Sequence, residues 1–314
     1  MLVNLVPEFL DATHAANPLE AYRHYLERHH AVLAAYWHNY ILDLDSSHAE
    51  EVMRRAVRAN RRDLLALLDN VDLNAVAEET IQRCEDVFEI DQPFDVYVTV
   101  GVGGANAGEL VVDGRGVAFV CVEHFTGRPN HETLGLGLNP DLIAPWIAHE
   151  IAHTVRYTSP ESESELATIV RDSDGYYDYW ETGSRATLRE LVVNEGLAVT
   201  ASQLAVPGFE AWDYLGYTRR QYRRLRQLES FLMREVEDEL DHRGLGYRLR
   251  YLSGGVVANQ RLVGGKVIPE RAGYYLGQRM VEGLVGRDGI GKALRASALD
   301  FADVDGYSSG IQTA

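Results

Sequence analysis

The sequence contains one short motif whose residue types and spacing could hold a metal ion, His149-Glu150-Ile151-Ala152-His153. On an α-helix, side chains four positions apart lie on the same face, one turn from each other. Two imidazoles placed in this way could bind one zinc ion with Zn–N distances of about 2.0–2.1 Å. Glu150 follows the first histidine and could act as the general base on a water molecule that the metal activates. The motif therefore predicts a zinc-dependent hydrolase with one Zn²⁺ per chain.

The residues around this motif favour a helix that faces the protein interior. Ile147, Ala148, Ile151 and Ala152 are apolar, and the pattern predicts a helix over residues 146–157. Two histidines that only pack in a helical core are the alternative interpretation. For a chain with 11 histidines in 314 residues, a match to the five-residue pattern is expected by chance about 0.03 times. A metal site is therefore favoured over a fortuitous match.

A catalytic zinc site needs a third protein ligand, and Glu195 is the strongest candidate. It lies in an otherwise apolar run, Leu191-Val192-Val193-Asn194-Glu195-Gly196-Leu197-Ala198, on a helix predicted over residues 186–203. Burying an unpaired carboxylate is costly, so Glu195 is expected to have a partner, and a metal cation would be suitable. An ion pair with Arg185 or Arg189 is the alternative.

Other polar residues near these two helices are predicted to lie outside the metal site. Glu190 competes with Glu195 as the third ligand, but beside Arg189 it is expected on a solvent-exposed helix face. His124 and His131 precede the motif helix and are interpreted as ordinary surface residues of a loop.

The rest of the chain predicts helices, then a small sheet, then the helices that carry the motifs. Residues 1–90 follow helical spacing and form a predicted N-terminal helical region, in which one helix covers residues 47–68. Val96, Val98 and Val100 alternate with other residues, which is typical of a strand. Asp113-Gly114 is a strong hairpin-turn pair.

A small sheet is therefore predicted over residues 94–125, within a second domain that covers residues 91–314. This domain would also contain the motif helix, the helix of Glu195 and the C-terminal helices. The predicted fold class is α+β and mainly α. The strand over residues 117–122 comes shortly before the motif helix, and either an edge strand that pairs with substrate or a core strand fits it.

Composition excludes several classes of partner. The 30 lysines and arginines are outnumbered by 47 aspartates and glutamates, which gives a net charge of −17 and disfavours nucleic acid. Signal-peptide features and apolar runs of about 18 residues are lacking, so no membrane and a cytoplasmic location are expected. Cys84 and Cys121 lie in apolar segments and are predicted to be reduced core residues. The expected partner is a peptide or protein substrate, and the oligomeric state stays open.

Charged residues are segregated along one long predicted helix. Arg219, Arg220, Arg223, Arg224 and Arg226 come first, and Glu229, Glu235, Glu237, Asp238 and Glu239 follow. Such opposed blocks are typical of a solvated helix that is stabilised by internal ion pairs.

The two motifs together resemble the gluzincin metallopeptidases, whose third ligand is a glutamate on a later helix. The run from His149 to Arg156, with Glu195-Gly196-Leu197-Ala198, is similar to a bacterial family of predicted zinc-dependent proteases. That family also tends to carry a Gly-Tyr-x-x-Gly element, which Gly273-Tyr274-Tyr275-Leu276-Gly277 matches. The resemblance covers residues 94–285. It implies a zincin-like metallopeptidase domain with His149, His153 and Glu195 as zinc ligands.

The same resemblance implies a hydrogen-bond donor for the oxyanion of the reaction. Tyr274 occupies the matching position, Tyr275 is the alternative, and two tyrosines that simply pack at a helix start are a third interpretation. The chain departs from the family pattern in two places. An acidic stretch over residues 160–183 lengthens the separation between the motifs. Val199 stands where the thermolysin-like pattern has an aspartate that supports a histidine ligand.

Two other functions fit these residues. The chain could be a catalytically degenerate zinc-binding protein of the same fold, or a helical interaction protein in which the motif is fortuitous. Glu150 argues against the degenerate protein, because a purely structural zinc site has no use for a base beside its ligand.

Overall fold

The structure is a computed structural model that describes residues 1–301, and it confirms the α+β, mainly α fold class. The helices are α1 Val6–His14, α2 Pro18–Arg28, α3 His30–Tyr40, α4 Ala49–Arg58, α5 Arg62–Leu68, α6 Leu73–Phe88, α7 Ile143–Thr158, α8 Glu165–Asp172, α9 Tyr179–Arg185, α10 Leu188–Ala205, α11 Ala211–Tyr214, α12 Arg219–Glu237, α13 Leu245–Leu252, α14 Ala272–Asp288 and α15 Ile290–Arg295. The strands are β1 Leu2–Asn4, β2 Phe94–Thr99, β3 Ala107–Val112, β4 Arg115–Cys121, β5 Leu262–Val263 and β6 Lys266–Val267. Within residues 1–301, every helix is too short or too polar to cross a membrane.

The main sheet has the strand order β1-β2-β4-β3. Strands β1, β2 and β4 are parallel, and β3 is antiparallel to β4 across the predicted hairpin. Asp113 and Gly114 have positive φ angles of 52° and 73°, as the favoured two-residue hairpin turn requires. Strand β4 is therefore an interior strand and β3 is an edge strand. The expectation that residues 117–122 could form the substrate-pairing edge is wrong, and their interpretation as a core strand is right.

The N-terminal region differs from its helical prediction in two respects. Residues 2–4 form β1. The sequence does not predict this strand, because three residues are too few to show a periodicity and their hydrogen-bonding partner lies more than ninety residues away. The single helix predicted over residues 47–68 is instead α4 and α5. The carboxylate of Glu132 accepts a hydrogen bond from the Asn60 amide at 2.9 Å, and the Asn60 side chain accepts one from the Arg62 amide at 3.1 Å. The division of the chain at residue 90 stays a prediction.

Helix α7 lies between the sheet and the helices of the C-terminal part. It packs against β3 and β4 on one side and against α10 on the other, and α10 in turn packs against α14. The acidic stretch over residues 160–183 is partly helical and contains α8 and most of α9. Ser164 and Asp178 cap these helices, because their side chains accept hydrogen bonds from Ala167 and from Trp180 and Glu181, respectively.

Two glycines let α10 and α14 cross at backbone distance. A Cβ atom at Gly196 would overlap the carbonyl group of Gly277, and one at Gly277 would overlap the carbonyl oxygen of Val192. These glycines belong to the Glu-Gly-Leu-Ala and Gly-Tyr-x-x-Gly elements of the sequence. Because the backbones of the two helices touch at these glycines, Glu195 on α10 and Tyr274 on α14 lie on helices in direct contact.

Replacing Gly277 with alanine is expected to destabilise the protein by about 3 kcal/mol, because backbone atoms cannot move aside as a flexible side chain would. Urea denaturation followed by circular dichroism measures this change. The control is Gly283→Ala on the same helix, where a new Cβ would meet no atom within 4 Å. That variant should be unchanged or more stable by about 0.5–1 kcal/mol, since alanine favours helix. Equal stabilities of the two variants would contradict the close crossing.

Candidate metal centre

The two histidines of the motif lie side by side on the buried face of α7. His149 and His153 are each only 2% exposed, and their Nε2 atoms are 3.2 Å apart. The ring of His149 also contacts Trp146, with 5.4 Å between the ring centroids. The helix predicted over residues 146–157 is present, and it begins three residues earlier, at Ile143. Helical spacing therefore brings both imidazoles to one point, as the sequence predicts.

Helix α10 brings Glu195 to the same point. Its Oε2 atom is 3.4 Å from Nε2 of His149 and 3.5 Å from Nε2 of His153. Ligand atoms of a tetrahedral zinc site with bonds of about 2.0–2.1 Å lie about 3.3–3.4 Å from one another. The three atoms thus form a triangle of the size that one zinc ion requires. Oε2 of Glu195 is buried and makes no hydrogen bond with residues 1–301, so this oxygen could bind a cation.

The alternative ion-pair partners of Glu195 are engaged elsewhere. Arg185 pairs with Glu181 and Asp172, and Arg189 pairs with Asp241. Among the described residues, the close partners of Glu195 are instead the two histidines.

Glu190 is not on a solvent-exposed helix face, and that prediction is wrong. Its side chain is 1% exposed, and its Oε1 atom accepts hydrogen bonds from Arg156 at 2.7 and 2.9 Å. Arg156 lies on α7, three residues after His153, and its side chain is fully buried. This ion pair joins the helix of the histidines to the helix of Glu195. The sequence suggested the adjacent Arg189 as a neighbour, whereas the actual partner comes from another helix.

A further carboxylate, Glu109 on β3, lies beside the centre and was missed from the sequence. One of its carboxylate oxygens, one of Glu150 and a ring nitrogen of His153 lie within 4.8 Å of one another. Both of its oxygens already accept hydrogen bonds, from Tyr157 at 3.0 Å and from Tyr40 at 3.1 Å. Glu195 therefore fits the role of third ligand better. A lone carboxylate in the buried strand Ala107–Val112 was the signal that could have identified Glu109.

A chain of hydrogen bonds orients His153. Its Nδ1 atom lies 3.0 Å from Oδ1 of Asn194, whose Nδ2 donates to the hydroxyl of Tyr157 at 3.0 Å. That hydroxyl donates to Glu109 at 3.0 Å. Because each group in the chain has a partner of the right kind, the proton of His153 belongs on Nδ1 and the lone pair of Nε2 faces the centre. Asn194 thus supports the histidine, while Val199, at the position of the thermolysin-like aspartate, is buried and apolar.

Replacing Asn194 with alanine is expected to weaken zinc binding by about 10- to 100-fold, because His153 loses the acceptor that sets its tautomer. Asn194→Asp keeps an acceptor and should lose less. Competition with a chromophoric chelator measures the affinity. Ser202→Ala on the same helix is the control, since among the described residues that hydroxyl bonds only to the Val199 carbonyl. Wild-type affinity of the alanine variant would show that the hydrogen bond has no role.

The electrostatics of the cluster favour a basic His153 and an ionised Glu195. Burial alone would lower the pKa of His153, but the charges of Glu195 and Glu109 raise it to about 10. Burial alone would raise the pKa of Glu195, but the charge of His153 and contacts with both histidines hold it well below its ordinary value. Burial lowers the pKa of His149. By residue type, one carboxylate and two histidines form a donor set of the kind that zinc prefers.

Glu150 is buried next to its histidine neighbours. Burial, together with the charges of Glu109 and Glu195, raises its pKa well above the ordinary value, against the opposing charge of His153. A carboxylate with a raised pKa is a stronger base, as proton transfer near neutral pH requires.

Tyr274 and Tyr275 have different surroundings. The ring of Tyr274 is stacked on that of His149, with 6.0 Å between centroids and 10° between planes. The hydroxyl of Tyr275 donates to Glu229 at 2.6 Å, so it is already used. Of the two tyrosines, Tyr274 is therefore the one placed beside the candidate metal ligands.

The remaining sequence predictions give a mixed outcome. His124 is only 3% exposed, so its interpretation as a surface residue is wrong, because the loop after β4 folds back into the core. His131 is exposed as expected. Cys84 and Cys121 are buried free thiols, and burial raises the pKa of each.

Comparison with known protein families agrees with the motifs. Residues 176–303 match the model of a family described as "Predicted Zn-dependent protease (DUF2268)". The matched segment contains Asn194, Glu195 and Tyr274 and begins after the histidine motif. No curated protein and no solved structure gave a significant match. The resemblance inferred from the motifs is confirmed, in that residues 176–303 of this chain match a family of predicted zinc-dependent proteases.

Proposed function

We propose that this protein is a zinc-dependent hydrolase that cleaves peptide bonds, with His149, His153 and Glu195 as ligands of one zinc ion. The observation that supports this most strongly is the triangle of two Nε2 atoms and one carboxylate oxygen that has no hydrogen bond to any described residue. Its edges have the lengths that tetrahedral zinc coordination requires. The family match to predicted Zn-dependent proteases agrees with this assignment.

The residues of the site can supply the proton transfers that amide hydrolysis needs. When bound, zinc would act as a Lewis acid that polarises the substrate carbonyl and activates a water molecule. Glu150 takes a proton from the attacking water and delivers it to the departing nitrogen, so that its own protonation state is restored. The hydroxyl of Tyr274 donates a hydrogen bond to the carbonyl oxygen as negative charge develops there. Within residues 1–301 this hydroxyl makes no other hydrogen bond.

Metal analysis and a hydrolysis assay test the proposal together. Elemental mass spectrometry of the purified protein should find about one zinc ion per chain. The zinc-loaded chain should cleave members of a library of quenched fluorescent peptides, and a chelator should abolish this activity. A chain without bound zinc would support the helical interaction protein. A zinc-containing chain that cleaves neither the peptides nor whole denatured proteins would support the degenerate zinc-binding protein. The cytoplasmic location stays a prediction.

A further inference from the structure

The first half of α12 carries an exposed basic surface, which we call the arginine surface. It consists of Arg219, Arg220, Arg223, Arg224 and Arg226, all of which are exposed to solvent. Within residues 1–301, none of these five side chains forms an ion pair. The expected pairing with the acidic end of the helix is therefore wrong. Glu229 pairs with Arg279, Glu235 with Arg234, and Glu239 with Arg250.

The stability of the helix does not explain this arrangement. Arginines three and four positions apart lie on the same helix face and repel one another. They also occupy the N-terminal end of α12, whose first turn has no acidic residue, and cations there oppose the helix dipole. The chain as a whole has a net charge of −17, so carboxylates for pairing are plentiful elsewhere. An unfavourable local arrangement of this kind is expected at functional positions.

The arginine surface begins beside the candidate metal centre. Tyr217 lies two residues before the start of α12, and its hydroxyl donates to the carbonyl oxygen of Arg271 at 2.5 Å. The guanidinium carbon of Arg271 lies 5.6 Å from the ring centroid of Tyr274, which stacks on His149. Arg271 also forms no ion pair within residues 1–301, so a further unpaired guanidinium lies beside Tyr274.

Aromatic contacts hold α12 in this position. The guanidinium carbon of Arg219 lies 5.7 Å from the ring centroid of Trp212, which contacts Tyr222 with 6.1 Å between centroids. Tyr222 contacts Tyr275 on α14, with 5.9 Å between centroids. Helix α12 is therefore packed through Tyr222 onto α14, the helix that carries Tyr274.

We propose that the arginine surface binds an acidic segment of a polypeptide substrate and guides the adjoining peptide bond to the metal centre. This substrate class rests on the proposed peptidase function. Residues 219–226 span about 10 Å of helix, which matches about three residues of an extended peptide. Nucleic acid and anionic membranes are extended polyanions that would also meet the acidic remainder of the molecule, whereas a short acidic segment contacts the arginine surface alone.

Binding can be tested without turnover in the zinc-loaded full chain that carries Glu150→Gln. The probes are a fluorescein-labelled decapeptide of alternating Glu and Gly and its counterpart of Gln and Gly. In the surface variant, all five arginines of the arginine surface are replaced with Gln. In the control variant, five exposed arginines elsewhere are replaced with Gln, namely Arg55, Arg58, Arg62, Arg128 and Arg171. Both variants change the net charge by the same amount.

The acidic probe should bind the parent chain, and fluorescence anisotropy should show its dissociation constant rising about tenfold or more in the surface variant. In the control variant, the dissociation constant of the acidic probe should change by less than about twofold. Salt at 0.5 M should weaken binding of the acidic probe to the parent chain. The Gln probe should bind weakly to every variant. Equal losses in both variants, or an acidic probe that does not bind the parent, would overturn the proposal. So would tighter binding of a thymidine 20-mer or of phosphatidylserine vesicles.

A hydrolysis arm separates this proposal from the proposed function. With Glu150 intact, the ratio of kcat/KM for an acidic reporter peptide to that for a neutral one should fall about tenfold in the surface variant. An unchanged ratio would overturn the substrate-guiding role. If no variant cleaves any peptide while the acidic probe still binds at the arginine surface, the peptidase function and the substrate role fail, and binding of acidic polypeptides stands.

Discussion

Replacing Glu195 with glutamine is expected to remove zinc from the purified protein, with a loss of affinity greater than about 100-fold. The carboxylate supplies the only anionic donor of the proposed ligand triangle, and an amide oxygen is a much weaker zinc ligand. Zinc content after dialysis and the visible spectrum of the Co²⁺-substituted protein measure this loss. Circular dichroism shows whether the variant is folded, so that loss of metal is not confused with loss of structure.

Glu190→Gln is the matched control on the same helix. It should keep its zinc, because Glu190 contacts Arg156 rather than the histidines. It should lose about 3–5 kcal/mol of stability, because Arg156 is left as an uncompensated buried charge. The two variants therefore separate metal binding from folding. A zinc-binding Glu195→Gln variant, or a Glu190→Gln variant that loses its metal while folded, would show that the third ligand is assigned to the wrong carboxylate.

Replacing Glu150 with glutamine is expected to lower kcat by about 100- to 10,000-fold while leaving zinc content unchanged. Glutamine keeps the size of the side chain but cannot accept the proton from the attacking water. Burial and the nearby carboxylates raise the pKa of Glu150, which strengthens it as a base. The measurement is steady-state hydrolysis of the best peptide found for the wild-type protein, at matched zinc content.

Glu123→Gln controls for the loss of a buried carboxyl group in general. Burial raises the pKa of Glu123 to about 7, and its Oε2 atom accepts a hydrogen bond from the Gly101 amide at 2.9 Å, away from the metal ligands. This variant should keep kcat within about twofold of the wild type. If Glu150→Gln were equally active, another group would have to be the base, and Glu109 would be the first to examine.

The elements that carry the site were predictable because their signals are local. The apolar spacing around the histidine motif predicts a helix, and α7 covers the predicted residues 146–157 in full. Glu195, a carboxylate in an apolar run, was expected to have a buried partner, and its two close neighbours are the motif histidines. The hairpin turn at Asp113-Gly114 was equally visible, since few dipeptides adopt positive φ at both positions.

The contacts that complete the site could not be predicted because their partners are distant in the chain. The neighbouring Arg189 predicts a solvent-exposed position for Glu190. Its carboxylate is instead buried and accepts hydrogen bonds from Arg156, 34 residues away. The support for His153 comes from Asn194, 41 residues away, and not from the position of Val199. The sequence predicts ion pairs between the arginines at the start of α12 and the acidic residues that follow them. The carboxylates of Glu229, Glu235 and Glu239 pair with other arginines instead.

By itself, the sequence determined the chemical types at the centre: two imidazoles one helical turn apart, a glutamate beside them and a second carboxylate on a later apolar helix. Residue type and helical spacing are local properties, so they can be inferred from a single amino-acid sequence. Only the tertiary structure decided which of three nearby carboxylates is free to bind a cation. Glu109 is saturated by Tyr40 and Tyr157, and Glu190 by Arg156, because these donors arrive from other segments. Oε2 of Glu195 receives no such donor from the part of the chain that the structure describes, and it faces the histidines.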